Sequence, residues 1–141
     1  MVKRICYLSL SAIILISCNY NIKQKEVENN DEYDLFIEKG TQAFQKNDIK
    51  NAISYFQKAI LMDSSKTVGY YRLGVAQTML CNQDIDYCQE ALKNLTKVIN
   101  KNPDYERVNY NLGITFFILL LIKVGYSKIV VYSFIIRIFI Y

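Results

Sequence analysis

The sequence predicts an all-α protein of tandem antiparallel helical hairpins, two of them full and a third partial. Three observations lead there. Glycine recurs at one register, as Gly40, Gly74 and Gly113, each among apolar residues at helical spacing. After the first two glycines comes a second apolar stripe, Ala52, Phe56 and Ala59 and then Ala91, Leu95 and Val98, with the same spacing both times. Between the stripes of the first unit stands Asn47-Asp48, a pair that makes turns because its side chains bond local backbone.

Taken in chain order, residues 1–17 read as an export signal. Lys3 and Arg4 give a positive start, and residues 5–16 form an apolar stretch broken only by Ser and Cys. That stretch is shorter than the roughly 20 residues a permanent membrane helix needs. Its close, Leu15-Ile16-Ser17-Cys18, resembles the lipobox of bacterial lipoproteins. The resemblance implies a diacylglycerol on the Cys18 thiol, cleavage before Cys18 and acylation of the new amine. Two or three acyl chains hold firmly, since each buried CH₂ contributes about 0.8 kcal/mol. An uncleaved anchor and a buried helix that happens to end in Cys are the other readings of the stretch. Residues 18–32 are rich in Asn, Lys and Glu, with little apolar surface to offset the entropy of ordering, and are expected to form a flexible tether.

The first repeat occupies residues 33–66. Phe36, Ala43 and Phe44 surround Gly40 at helical spacing, and Ala52, Ile53, Phe56, Ala59 and Ile60 make a continuous stripe on a second helix. The second repeat, residues 67–104, returns to the register with Tyr70, Leu73 and Gly74, then with Ala91, Leu95 and Val98. It closes at Pro103, before which a helix must stop. Gly74 lies 17 residues before Ala91 where Gly40 lies 12 before Ala52, which predicts a five-residue loop insertion. A partial third repeat, residues 105–120, places Leu112, Gly113 and Phe116 in register.

The period near 34, with glycine on the first helix and small–large–small on the second, resembles the tetratricopeptide repeat (TPR). The resemblance implies an α-solenoid whose paired helices approach closely at the glycine. Asp63 matches the family's usual Asp, and Ser64 stands in its Pro slot. Lys39 departs from a slot usually held by Leu and predicts a slightly irregular first hairpin.

Residues 121–141 leave the pattern. No acidic residue follows Glu106, and Ile, Val, Tyr and Phe dominate where a polar turn and a second helix are due. Three readings stay open: a membrane segment interrupted by Lys123, Lys128 and Arg137, a capping helix without the polar outer face a cap wants, and an out-of-register translation of an A/T-rich gene.

Charge and composition narrow the function. The chain carries 17 basic and 13 acidic groups and no His. Residues 18–112 hold 12 of the basic groups and all 13 acidic ones, so no basic face for nucleic acid is expected. Histidine-based catalysis and His-ligated metals are excluded. The scattered glycines form no phosphate loop, and no cofactor, metal or enzymatic activity is predicted. Cys81 and Cys88 are a candidate disulfide for an exported protein; the alternative is Cys88 packed as a small apolar residue with Cys81 free.

Binding is the expected activity. The family's groove, lined by the first helices of successive repeats, maps to Ile37, Thr41 and Phe44 with Asp34, to Tyr71, Val75 and Thr78 with Val68, and to Tyr110 with Arg107 and Ile114. Tyrosine offers contact area at low entropy cost with a polar tip, which suits protein or peptide segments. The expectation is a lipid-anchored scaffold of the bacterial cell envelope, facing the periplasm or held at the outer membrane, that assembles protein complexes. A truncated, non-functional fragment of a longer TPR lipoprotein and a small subunit with a C-terminal transmembrane anchor are the alternatives.

Overall fold

Among the described residues, turn residues and caps mark out the helices α1 (Val2–Gln45), α2 (Ile49–Met62), α3 (Thr67–Leu80), α4 (Ile85–Lys101) and α5 (Glu106–Val124). The computed structural model describes the backbone of residues 2–127, 129–131, 133 and 137, and their side chains except those of residues 2–18, 20, 21, 26, 28, 29 and 106. No strand occurs among the described residues, and the protein is all-α. Each helix packs on the next, and α3 also touches α5.

Local chemistry sets the helix ends. Asn47 takes a positive φ of 61°, a conformation Asn tolerates better than most residues. Asp48 then caps α2, its carboxylate accepting from the Asn51 amide at 3.3 Å. Asp63 ends α2 and accepts from the Ser65 amide at 2.8 Å and the Ser65 hydroxyl at 2.6 Å, which holds its carboxyl below the usual range. Asp84 caps α4 through the Asp86 amide at 3.0 Å.

The glycine register decides how tightly the pairs close. A Cβ on Gly40 would lie 2.5 Å from Cε1 of Phe56, and one on Gly74 would lie 2.7 Å from Cγ of Leu95. Hydrogen at those two positions lets the large residue of the next helix sit against backbone. Phe56 and Leu95 are buried as a result, each worth roughly 1.5–3 kcal/mol of hydrophobic stabilisation. One core cluster joins Ala52, Phe56, Leu73 and Leu80. A second joins Tyr70, Leu95, Val98 and Val108, and a third joins Cys81, Cys88, Ile118 and Val131.

Three expectations are revised. Residues 18–32, expected as a flexible tether, lie within the helical backbone of α1. No Gly or Pro interrupts residues 2–39, and Lys, Gln and Glu are good helix formers. Ile22 and Val27 of this stretch are exposed. The five extra residues of the second unit are mostly helix, because three of them lengthen the start of α4 relative to α2. Finally, α5 runs to Val124, beyond the expected end at residue 120. It stops at Gly125, whose φ of 89° only glycine adopts easily, and the chain turns so that Val131 of the tail is buried.

Candidate functional site

Register equivalence places Ile37 on α1, Tyr71 on α3 and Tyr110 on α5 at the same position, three residues before their glycines. They are not equally open. Tyr110 is 63% exposed and offers both ring and hydroxyl. Ile37 is half-buried, packed with Phe44 against the first core cluster. Tyr71 is half-buried too. Its hydroxyl accepts from Nδ2 of Asn111 at 3.0 Å, and its ring lies 5.0 Å from that of Tyr105. Burial, followed by the nearby Tyr105, raises the Tyr71 hydroxyl above its usual pKa.

Thr41 is half-buried and donates to the Ile37 carbonyl at 2.7 Å. Val75 packs half-buried on the cluster around Leu95. Thr78 does not line a surface. It is fully buried, its hydroxyl 2.7 Å from that of Thr115, and it donates to the Gly74 carbonyl at 2.9 Å. The sequence register puts this position in a groove, but here α5 lies against it. Ile114, on α5 itself, is buried in the cluster around Cys81 and Cys88, whereas Val68 and Arg107 are exposed. The Cys18 thiol lies outside the described side chains.

A polar seam between helices was not foreseen. Asn94 donates to Gln77 at 2.8 Å across α3 and α4, and Asn111 and Thr115 of α5 reach Tyr71 and Thr78 of α3. These groups satisfy one another inside the fold, which fixes the register of α5 against α3. The sequence offered little signal, since polar residues inside helical segments normally face water.

Tyr33 ties the first two hairpins together. Its hydroxyl accepts from the Gly69 amide at 2.8 Å, meeting one of the unpaired N–H groups in the first turn of α3. The Lys66 ammonium lies 4.1 Å from the Tyr33 ring centroid. Burial raises the Tyr33 hydroxyl above its ordinary pKa, outweighing the bond from Gly69. A second lysine–tyrosine pair follows, with Lys97 3.9 Å from the Tyr70 centroid.

Cys81 and Cys88 are joined as a disulfide, both sulfurs buried where α3 meets α4. The bridge packs beneath Ile118 and Val131 and so supports the end of α5. Among the described residues no group of three or more His, Cys, Asp and Glu side chains is placed to hold a metal ion.

Comparison with protein-family models, curated proteins and solved structures finds no match to this chain.

Proposed function

We propose that the chain is a tetratricopeptide-type scaffold that binds protein segments along the face shared by α1, α3 and α5. The observation that carries this reading is the repeated glycine contact, Gly40 against Phe56 and Gly74 against Leu95, in one register. In a solenoid of hairpins built alike, Ile37, Tyr71 and Tyr110 would share one register position on the first helices. Thr41, Phe44 and Val75 flank it, and Thr78 contributes only as packing beneath. A partner segment would gain most from Tyr110, the open aromatic, with Val68 and Arg107 nearby in register.

Selection from a displayed library of random peptides tests the groove. Enriched peptides should bind the native chain, lose at least tenfold in affinity to Tyr110→Ala, and be indifferent to Ser54→Ala on the exposed side of α2. Peptides equally sensitive to both variants, or no enrichment, would count against the groove.

Anchoring through acyl groups on Cys18, with an envelope location, belongs to the same proposal and rests on the Leu15-Ile16-Ser17-Cys18 sequence. Palmitate should label the native chain and not Cys18→Ser. Equal labelling removes the anchor while leaving the groove untouched.

A further inference from the structure

Among the described residues, much of the side of α5 turned away from α3 is solvent-exposed. Gly113, Phe116, Phe117, Leu120 and Val124 fall on that side and are all exposed, Phe116 by 61% and Val124 by 66%. In α1 and α3 the equivalent glycine presses on a large side chain of the next helix, whereas a Cβ on Gly113 would meet nothing within 4 Å. Tyr126, Ile129 and Val130 extend the exposed apolar surface past the end of the helix.

The opposite side of α5 is committed to the fold. Asn111, Thr115 and Ile118 are buried there, and Thr115 is bonded to Thr78. Residues Arg107–Val124 are long and apolar enough to cross a membrane, yet 33% of that stretch is buried inside the protein. Crossing would strip Asn111 and Thr115 of their partners on α3, a cost an interfacial position avoids.

Charge selects the partner. From residue 107 onward the chain carries Arg107, Lys123, Lys128 and Arg137 and no acidic residue. Lys123 stands at the edge of the apolar face, and both it and Arg137 are exposed. Two copies pressed together on this surface would bring like charges together. An anionic lipid surface pairs with the same cations while its acyl boundary accepts the apolar side chains, which is the makeup of an interfacial helix.

We infer that this face of α5 docks peripherally on an anionic lipid surface, with Phe116, Phe117 and Leu120 at the boundary between headgroups and acyl chains. The docking is independent of acylation at Cys18.

The chain has no tryptophan, so Phe116→Trp is a single reporter on this face and Leu61→Trp, 78% exposed on α2, is its control. Both sites are exposed, so neither change empties the core. The full chain carrying Cys18→Ser and one reporter is mixed with vesicles of phosphatidylglycerol or of phosphatidylcholine, with bromines placed shallow or deep in the acyl chains. With phosphatidylglycerol, the Phe116→Trp emission should shift to the blue and be quenched most by shallow bromines, while Leu61→Trp stays unchanged. Lys123→Gln combined with Arg137→Gln should weaken binding about thirtyfold. Four results would each overturn the inference: no shift with phosphatidylglycerol, an equal shift with phosphatidylcholine, strongest quenching from the bilayer centre, which marks a span, and a concentration-dependent shift without vesicles, which marks self-association.

Discussion

Alanine at Gly74 and alanine at Gly113 should move stability in opposite directions, although both replace a glycine at the same register of a helix. At Gly74 the new methyl meets Leu95 Cγ at 2.7 Å and Cδ2 at 3.0 Å, with the Ala91 carbonyl at 3.3 Å behind. Leu95 is fully buried, so the added methyl presses into a packed interior. Overpacking of this kind costs about 1–3 kcal/mol. The better helix propensity of alanine returns up to about 1 kcal/mol, leaving a net loss near 1–2 kcal/mol. At Gly113 nothing lies within 4 Å, so only the propensity gain remains. Gly113→Ala should therefore be more stable than the native chain by up to about 1 kcal/mol. For a folded region of this size, each kcal/mol moves the melting temperature by about 4–8 °C. The propensity gain is common to both, so the two variants should melt about 4–24 °C apart, followed by circular dichroism at 222 nm, with Gly40→Ala on the destabilised side. If Gly74→Ala melts at or above Gly113→Ala, the close approach of α3 and α4 is not where the register puts it.

Removing the Tyr33 hydroxyl in Tyr33→Phe leaves the Gly69 amide unpaired and should cost about 1–2 kcal/mol in urea unfolding. Tyr33 and Tyr71 both have raised hydroxyl pKa values, so the folded chain keeps protons that the unfolded chain has already lost. Their contribution is complete below about pH 10 and falls as pH rises through the folded values, a decline that Tyr33→Phe should flatten in urea midpoints measured between about pH 8 and 11. Asp63 works in the other direction. Its carboxyl is held low by Ser65, so its contribution is present above the unfolded value of 3.8 and is lost as acid is added, less steeply in Ser65→Ala. Breaking the bridge between Cys81 and Cys88, which are seven residues apart, should lower stability by about 2–3 kcal/mol in the chain-entropy account, read as a drop in urea midpoint on adding reductant.

The helices and their pairing were legible because small residues at fixed offsets carry geometric information. Gly40 and Gly74 mark where a neighbour must come close, and Phe56 and Leu95 are the neighbours that do. Asn47 and Asp48 identified the first turn through their own hydrogen-bonding chemistry. Spacing counted the five extra residues before Ala91, yet a count says nothing of whether residues coil or lengthen a helix. Composition at residues 18–32 showed a lack of apolar surface for packing but carried no information on whether the backbone is helical. Thr78 was misplaced because register assigns a face, whereas burial depends on how near the next helix comes. Here the seam of Asn111 and Thr115 draws α5 over it.

The binding claim turns on where a captured segment lies. A photoreactive benzoylphenylalanine replacing Tyr110 and, separately, one replacing Ser54 would be irradiated with a library-selected peptide bound. The account predicts an adduct of chain plus one peptide from position 110, none from position 54, and loss of the adduct on adding unlabelled peptide. An adduct formed equally from both positions, or only from Ser54, would contradict a groove along α1, α3 and α5.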